Sequence, residues 1–274
     1  LSKRLIDVET GEDLTGDYRI IHRNTAEAYK RKMEREQAQA TSASKRWVAS
    51  YHDPIREIIA DMSLTEAGAI IKLLPYLRFK SNGKLIDRGK PMKQADIQRV
   101  FKRGKKATRE ILNRLQELGV ISVLKEGRTN TYYINAEFHG MGSVREGASF
   151  TKVYQAATRE LVKDLDLAET GLLYKILPFF HYSEYYLCDN PDEENPEVIR
   201  HLNREQLAER IGHDEKTVFE AVSKLQRKGA ILTTKSGKTV RYLVHPDIMS
   251  RQPHETEWTQ SVRKLFEQHN RTRT

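Results

Sequence analysis

The chain has 274 residues, of which 38% are apolar, and its formal net charge is +9 with a pI near 9.4. That length allows two modest domains, and the positive balance favours an anionic polymer as partner over an acidic metabolite, the alternative being a surface merely rich in lysine. The single cysteine, Cys188, excludes an internal disulfide and a thiolate metal site, and the lack of an apolar leader or of an apolar run of about 18 residues predicts a cytoplasmic protein with no membrane partner.

Residues 1–50 are predicted to form a short hairpin followed by a polar arm. An apolar run leads into a turn at Thr10 and Gly11, and a second strand would follow at residues 18–21. Residues 24–50 are helix-prone, with mixed charges and few apolar anchors. Either this segment is a solvated helix, or it touches DNA or a partner subunit through its basic residues. Those residues are Lys30, Arg31, Lys32 and Arg35.

Three helices are predicted before the most basic segment. Asp53, placed before a proline, would cap the first helix. Ser63 and Glu66 have the spacing of a capping box and would start the second. The third is expected over residues 92–101. Before it, a turn at residues 81–83 leads into a short strand that would join a hairpin sheet further along the chain.

The next helix combines a buried stripe with a polar one. Its apolar residues fall on one face at helical spacing and are Ala107, Ile111, Leu115 and Leu118. Lys106, Arg109 and Asn113 form an outward stripe that suits the major groove of DNA. Gly119 is expected to end the helix, because a left-handed residue is wanted there.

Alternating apolar residues after this helix flank a turn around Gly127 and predict a hairpin. Two helices followed by a hairpin are typical of a winged helix, in which outward helix residues read base edges and cations bind phosphates. Arg109 would read guanine and Asn113 adenine. The other expected DNA contacts are phosphate-edge residues beside the helix and two residues at the wing tip, namely Lys102, Arg103, Lys105, Lys106, Thr108, Arg128 and Asn130.

The chain then repeats itself. LTEAGAIIKLLPYLRF at residues 64–79 aligns with LAETGLLYKILPFFHY at residues 167–182, at an offset of 103. LQELGVISVLKEGRTNTYYIN at residues 115–135 aligns with LQRKGAILTTKSGKTVRYLVH at residues 225–245, at an offset of 110. The seven additional residues fall in an acidic loop at 189–197. We therefore predict a tandem duplication.

The two copies differ in charge. Residues 72–128 contain 16 Lys or Arg against 5 Asp or Glu, a net +11, whereas residues 152–247 contain 14 against 16, a net −2. The outward stripe of the second copy is Lys216, Phe219 and Ser223, and an exposed phenylalanine suits a protein contact better than a phosphate. The first copy is therefore expected to be the main DNA reader and the second a weaker reader or a pairing surface. The expected DNA contacts of the second copy are Lys216 and the wing-tip counterparts Lys238 and Arg241.

The last segment of the chain is predicted to be an amphipathic helix with a basic end. Its apolar residues are Trp258, Val262, Leu265 and Phe266. It would either pack back on the body or form a dimer contact, since two-fold assembly is a common way to read palindromic sites. The expected organisation is an N-terminal arm, a first winged helix, a second winged helix and this tail, at residues 1–50, 51–142, 143–250 and 251–274.

No phosphate loop, zinc-protease motif, nucleophile elbow or spaced Cys/His set is present, so neither catalysis nor a cofactor or bound metal is expected. The acidic run in residues 189–197 could hold a cation but lacks regular ligand spacing, and a solvated insertion is the alternative. Tyr182, Tyr185 and Tyr186 would stack bases or anchor a loop. His213 is interpreted as a surface histidine with satisfied hydrogen bonds, the alternative being a pH sensor.

The runs TEAGAIIKLLPYLRFKSNGKLI and GRTNTYYINAEFHGMG, with a helix-turn-helix between them, resemble winged-helix proteins of Firmicutes plasmids and phages. These include RepL-type plasmid replication proteins, which in turn resemble MarR-type regulators. The similarity is strongest over residues 64–142 and returns in weaker form over residues 167–248. The duplication is a departure, because such proteins usually carry one winged helix.

The resulting expectation is a mainly α protein with small β-wings, an α+β fold built of tandem winged helix-turn-helix domains. The resemblance implies sequence-specific binding to double-stranded DNA, either to start replication or to control transcription. Expected partners are DNA, a second copy of the chain, and replication or transcription machinery, with a nucleoid-associated or plasmid-associated location. The alternative is a non-catalytic adaptor whose winged helices mainly bind protein.

Overall fold

The computed structural model describes residues 4, 6–13, 15, 27, 45–127, 129–142, 144–236 and 239–271. Two compact units are present. The smaller consists of Leu1–Ser44 and His254–Thr256, and the larger of Lys45–Pro253 and Glu257–Thr274. No helix within the described ranges is long and apolar enough to cross a membrane.

The smaller unit contains the predicted turn. The Asp7 carboxylate accepts hydrogen bonds from the backbone N–H groups of Glu9 at 2.8 Å and Thr10 at 3.1 Å, and Ile6 pairs with Asp13 in an antiparallel bridge. These local side-chain bonds favour a turn over a helix. The second strand of the predicted hairpin and the four basic residues of the arm lie outside the described residues; they are residues 18–21, Lys30, Arg31, Lys32 and Arg35.

The larger unit is a mixed α+β structure with small antiparallel sheets, which confirms the predicted class. Its first half contains β1 (Trp47–Tyr51), α1 (His52–Ile58), α2 (Leu64–Leu73) with a 3₁₀ turn (Leu74–Tyr76), β2 (Ile86–Asp87), β3 (Lys90–Pro91), α3 (Gln94–Phe101), α4 (Lys105–Glu117), β4 (Ile121–Glu126), β5 (Thr129–Ile134) and β6 (His139–Gly140). The second half contains β7 (Phe150–Tyr154), α5 (Gln155–Val162), α6 (Leu167–Lys175) with a 3₁₀ turn (Leu177–Phe179), a 3₁₀ turn (Pro196–Val198), α7 (Arg204–Ile211), α8 (Glu215–Arg227), β8 (Ile231–Ser236), β9 (Thr239–Val244) and β10 (Met249–Ser250). The last helix is α9 (Glu257–Arg271).

Side-chain caps explain four of the helix starts within the described residues, at Ser63, Asp166, Asn203 and Asp214. The predicted capping box is confirmed, because the Ser63 hydroxyl accepts from the Glu66 N–H at 3.2 Å and the Glu66 carboxylate accepts from the Ser63 N–H at 2.8 Å. The predicted cap at Asp53 is wrong. Strand β1 runs directly into α1, so Tyr51 occupies the cap position and Asp53 lies inside the first turn. For the same reason, residues 47–50 form a strand and not part of a helical arm.

The halves meet in a four-stranded antiparallel sheet with the order β10-β7-β1-β6. In its centre, Trp47 pairs with Tyr154 and Tyr51 pairs with Phe150. Because residues 47–51 correspond to residues 150–154 at the offset of 103, each pair is the image of the other. The outer strands pair at equivalent positions as well. The sheet therefore has an internal approximate two-fold axis between β1 and β7.

The same two-fold relation governs the contact between α2 and α6. A Cβ atom on Gly68 would lie 1.8 Å from the Leu167 carbonyl oxygen, and one on Gly171 would lie 2.1 Å from the Leu64 carbonyl oxygen. Gly68 corresponds to Gly171, and Leu64 to Leu167. Only glycine permits backbones to approach this closely. The two helices therefore pack reciprocally, and the glycines specify their contact.

Paired arginines also link the halves. Arg56 of α1 donates to the Pro178 carbonyl at 2.9 Å, and its equivalent Arg159 of α5 donates to the Pro75 carbonyl at 2.9 Å. Each half thus contributes a helix whose arginine side chain donates a hydrogen bond to a backbone carbonyl of the other half. The buried apolar side chains of both halves form one contiguous core. The predicted boundary at residues 142 and 143 falls in the loop between β6 and β7 and does not divide this core.

Two buried lysines satisfy backbone carbonyls at this junction. Lys175 donates to the carbonyl of Ile211 at 2.7 Å and to that of Ile59, and Lys72 donates to that of Leu165. Burial lowers the pKa of Lys175 to about 8. Ile211 and Ile59 lie at the ends of α7 and α1, where carbonyls lack helical partners. The ammonium groups therefore stabilise helix ends contributed by both halves.

One polar cluster at the junction has no symmetric counterpart. His139 hydrogen-bonds through Nδ1 to the Ser50 hydroxyl at 2.9 Å and through Nε2 to the Tyr174 hydroxyl at 3.3 Å. All three side chains are buried, and burial lowers the pKa of His139 to about 3. At the matching position the second half carries Met249. The internal symmetry thus extends to the backbone but not to these side chains.

Helix α9 packs on the second half. Phe266 is buried, with its ring 4.5 Å from the His245 ring, and Arg263 binds Asp247 at 2.9 Å. Although burial alone would raise it, hydrogen bonds from Arg263 and Lys45 lower the pKa of Asp247 to about 2. The tail therefore packs back on the body, as one of the two predicted arrangements required. The dimer contact stays a prediction.

Candidate nucleic-acid interface

Helices α3 and α4 are joined by a turn at residues 102–104 and present one polar face. The first-half stripe Lys106, Arg109 and Asn113 is exposed, as its spacing predicts. The opposite side of α4 is buried through Ile111, Leu112 and Leu115. Gly119 takes the left-handed conformation, with φ +72°, and ends the helix as predicted. The helix is thus fixed by its apolar side, and its polar side chains point to solvent.

The start of α4 concentrates positive charge. Gly104 occupies the cap position without a side-chain cap, and Lys105 and Lys106 lie in a first turn that has no acidic residue. Residues 102–109 hold five Lys or Arg and no acid, a net +5. The helix dipole is also positive at this end, so cations here cost about 0.3–1 kcal/mol each. An anion bound at the helix start would remove that penalty.

Lys102 makes a different contact from the one predicted. It adopts the left-handed conformation, with φ +54°, and its ammonium donates to the Lys163 carbonyl of the second half at 2.9 Å. A non-glycine residue in this region costs about 1–2 kcal/mol, and the matching residue of the second half is Gly212. Lys102 therefore links the two halves through this hydrogen bond. The predicted phosphate contacts rest on Arg103, Lys105 and Lys106, all of which are exposed.

Thr108 does not lie on the interface. Its side chain is fully buried, and its hydroxyl is 3.4 Å from the Arg103 carbonyl oxygen. The predicted phosphate contact is therefore wrong, because a phosphate could not reach this hydroxyl. The matching residue of the second half is Val218, which is also buried. The position belongs to the packing of α4 against the body.

The first hairpin, β4–β5, carries a second polar cluster. Asn130 is exposed and pairs across the strands with Lys125, which is also exposed, next to a turn at Gly127 with φ +63°. Arg128 lies outside the described residues. Lys125 is not among the predicted contacts, although the aligned hairpins indicate it, since Lys235 stands at the matching position of the second copy. Lys125 and Lys235 are thus cations common to both hairpins.

The hairpin is anchored to the body by an isolated antiparallel bridge between Lys84 and Tyr133. The third strand that the sequence predicts is thus reduced to this bridge, and the β4–β5 sheet has two strands. The Leu85 N–H donates to the Tyr132 carbonyl at 2.9 Å, and the Ile134 N–H donates to the Gly83 carbonyl at 2.8 Å. A Cβ atom on Gly83 would lie 2.1 Å from the Ile134 carbonyl oxygen, so glycine is required there. These bonds fix the hairpin relative to α4.

The start of α8 in the second half has the opposite character. Asp214 caps the helix by accepting from the Thr217 N–H at 2.9 Å, and Glu215 follows in the first turn. Both carboxylates suit the positive helix end. Lys216 is exposed at the position that matches Lys106. Ser223, the last residue of the predicted stripe, is half-buried.

Phe219 stands where the first half has Arg109. Its side chain is 51% exposed, and the guanidinium of Arg204, the first residue of α7, lies 4.8 Å from its ring centroid. This cation–π contact holds the ring while leaving part of it open to solvent. The sequence-based expectation of an exposed phenylalanine is confirmed.

The second hairpin, β8–β9, differs from the first at the predicted contacts. Arg241 matches Thr131 and not Asn130, whose counterpart is Val240. The Arg241 guanidinium lies 5.8 Å from the Tyr186 ring, and its Nε atom is buried without a hydrogen-bond partner. Arg241 is therefore not a wing-tip residue as predicted. Lys238 lies outside the described residues.

The acidic loop is used in ion pairs. Asp189 binds Arg210 at 2.9 Å, and hydrogen bonding from Arg210 lowers the pKa of Asp189. Asp192 binds Arg251, whose side chain is buried. Among the described residues, no group of three or more His, Cys, Asp or Glu side chains is arranged to hold a metal ion. Most of the loop is exposed, as expected for a solvated insertion, and these two carboxylates tie it to the body.

Two further sequence expectations change. Tyr185 is buried, and its hydroxyl hydrogen-bonds to the Thr259 hydroxyl at 2.9 Å, so it anchors α9 and cannot stack a base. His213 is half-buried, burial lowers its pKa, and its Nε2 atom lacks a hydrogen-bond partner. It is therefore not an ordinary surface histidine. Tyr182 is exposed and Tyr186 is partly exposed.

The described structure thus leaves four kinds of polar group exposed on the first half. They are the cations at the start of α4, the outward residues Arg109 and Asn113, the exposed pair Lys125 and Asn130, and the open helix end at Gly104. Together they combine a positive surface with hydrogen-bonding groups in both donor and acceptor roles. No family model matches the chain, and no curated protein or solved structure matches it either.

Proposed function

We propose that the chain is a sequence-specific double-stranded DNA-binding protein with two winged helix-turn-helix copies. The observation that carries this proposal is the exposed cationic start of α4, which has a net charge of +5 over residues 102–109 and no acidic cap. Cations at the positive end of a helix destabilise it unless an anion is present. The phosphates of a DNA duplex supply that anion.

The arrangement of elements supports the proposal. In the first half, α3, α4 and the β4–β5 hairpin follow one another, and backbone hydrogen bonds from the segment around Lys84 hold the hairpin. In the second half, α7, α8 and the β8–β9 hairpin follow in the same order at an offset of 110. In a winged helix, the second helix of such a pair enters the major groove while the hairpin flanks it.

The internal two-fold axis suggests how the copies cooperate. Dimeric helix-turn-helix proteins read palindromic sites because their two-fold symmetry matches that of the DNA. Here, the pairing of β1 with β7 and the packing of α2 against α6 already give one chain an approximate two-fold symmetry. A single chain would therefore present both reading helices to one site, and a second chain is not needed for this purpose.

Each side chain takes the role that its chemistry suits. Arg109 would donate two hydrogen bonds to guanine, and Asn113 would exchange two with adenine. Lys105, Lys106 and Lys125 would bind phosphates and fix the register. The resemblance to plasmid and phage proteins favours two biological roles, replication initiation and transcriptional regulation, which differ in where the bound sites lie.

The test is a binding selection on fragments of the native replicon with the purified full chain at about 0.15 M ionic strength. Native chain, Arg109→Ala and Lys106→Ala are compared. Arg109→Ala should cost about 1–3 kcal/mol at one base pair and relax discrimination there. Lys106→Ala, the matched control, should weaken all sequences equally and reduce the salt slope by about one.

Enrichment of clustered repeats at a replication origin would identify an initiator, and enrichment at promoters a regulator. An equal loss on every sequence with Arg109→Ala would remove that residue as a reader. A folded chain that enriches no fragment would contradict the proposal and leave the protein-binding adaptor.

A further inference from the structure

Phe219 is isolated on its face. Among the described residues of α7, α8 and the second hairpin, it is the only large apolar side chain that is exposed. Its neighbours at helical spacing that reach the surface are Glu215, Lys216 and Ser223, while Val222 is buried. Protein interfaces instead need several apolar side chains that are buried together. A single ring surrounded by polar groups fits a small apolar target.

The ring is also held in place. Arg204 stacks on Phe219 at 4.8 Å, and Arg204 is itself exposed at the start of α7. In a helix-turn-helix the first helix crosses the DNA backbone, so a guanidinium at its start would lie near a phosphate. The same contact that orients the ring thus keeps a cation beside it. This combination favours DNA over protein as the partner of this face.

The major groove offers one small apolar group, the 5-methyl group of thymine, and a phenylalanine is one of the side chains that contact it. We propose that Phe219 reads thymine through this methyl group, so that the two copies read unlike half-sites of one DNA site. This inference rests on the proposed function. Arg109 would select guanine in the first half-site, and Phe219 would select thymine in the second.

The experiment uses the duplex recovered in the selection described above, with each thymine in turn replaced by deoxyuridine. Deoxyuridine pairs identically but lacks the methyl group. For the native chain, replacement at one or two positions of the second half-site should weaken binding about fourfold per methyl group. Phe219→Ala should bind more weakly than the native chain and lose this sensitivity, whereas Phe219→Leu should retain part of it.

Two variants serve as controls for folding and for the other half-site. Leu124→Ala removes a similarly exposed apolar side chain from the first hairpin and should leave the sensitivity to deoxyuridine unchanged. Arg109→Ala should lower selectivity in the first half-site and also leave that sensitivity unchanged. Circular dichroism should show the same helix content for every variant.

The outcomes separate this inference from the proposed function. Selective binding by the native chain without any effect of deoxyuridine, or an effect that persists in Phe219→Ala, would overturn the thymine contact and leave DNA binding standing. Unchanged DNA binding by Phe219→Ala would overturn it as well and assign the face to a protein partner. A native chain that selects no duplex would overturn both.

Discussion

In the first half, residues 102–109 carry five Lys or Arg and no acid, whereas in the second half residues 212–219 carry one Lys against two acids, a net −1. The two segments occupy equivalent places, at the turn and start of α4 and of α8. Asp214 caps α8 and stabilises it, while Gly104 leaves the start of α4 open. The start of α8 is thus capped by a carboxylate, whereas the start of α4 is positive and uncapped, and the proposed function places a phosphate there.

A related contrast separates the surface from the junction. The backbone contacts between the halves obey the internal two-fold relation, as Gly68 and Gly171 show. Outward residues do not obey it, since Arg109 is replaced by Phe219 and Lys105 by Glu215. Packing constrains buried positions, whereas exposed positions are free to differ. The differences that bear on function therefore lie on the exposed helix faces.

The largest expected effect comes from breaking the shared junction. In a helix interior, Gly→Ala ordinarily stabilises by about 0.5–1 kcal/mol. Gly68→Ala should reverse that sign and lower the free energy of unfolding by about 3 kcal/mol or more, because its Cβ atom would overlap the Leu167 carbonyl oxygen. Urea unfolding followed by circular dichroism measures this quantity, and Gly171→Ala should give a similar loss.

The matched control is Gly104→Ala, where a Cβ atom would meet nothing within 4 Å and φ is −66°. This change should cost less than about 1 kcal/mol. If Gly68→Ala and Gly171→Ala were as stable as this control, α2 and α6 would not be in contact. If only one of the two were destabilising, the reciprocal packing would be refuted.

The second effect concerns the polar cluster around His139, which has no symmetric counterpart. His139→Met gives the first half the residue of the second, Met249. It leaves the Ser50 and Tyr174 hydroxyls buried without this partner, so the free energy of unfolding at pH 7 should fall by about 1–3 kcal/mol. Thermal or urea unfolding against pH measures the change.

The pH dependence has a definite sign. The unfolded chain protonates His139 near its ordinary pKa of 6.5 and the folded chain only near 3, so unfolding takes up a proton between these values. From this group alone, the native chain loses about 1.4 kcal/mol per pH unit as the pH falls from 6.5. The methionine variant lacks this loss, so the stability difference between the two should shrink as the pH falls. A constant difference from pH 7 to 4 would contradict a buried neutral histidine.

Sequence patterns predicted what depends on local spacing. The α+β class, the capping box at Ser63, the exposed stripe at Arg109 and the end of α4 at Gly119 all follow from helical periodicity or from cap chemistry. The offset of 103 also relates the glycines Gly68 and Gly171. Sequence alignment could not show that these equivalent residues face each other, because that depends on how the copies pack.

The predictions for Thr108, Trp47 and Lys102 are wrong for one physical reason, which is tertiary contact. Thr108 looks like a surface hydroxyl in sequence, yet it is buried, because the packing of α4 against the body sets its environment. Trp47 was placed in a polar arm, but its strand partner lies 107 residues along the chain, at Tyr154. Lys102 contacts the second half for the same reason. Contacts between the copies override local patterns.

The smallest expected effect on stability would test the contrast between the two helix starts. Gly104→Asp gives α4 the cap that Asp214 gives α8, so the free energy of unfolding should rise by a few tenths of a kcal/mol. The same carboxylate would lie where a phosphate is expected, so DNA affinity should fall, and the salt slope should decrease by about one. Unfolding in urea and titration of DNA at several salt concentrations measure the two quantities. The matched variant Asp214→Gly should lower stability slightly and leave the salt slope the same or raise it. If a phosphate binds at the start of α4, the new carboxylate should raise stability and lower DNA affinity, so that the two effects have opposite signs. A gain of both stability and DNA affinity with Gly104→Asp would therefore show that the start of α4 does not face a phosphate.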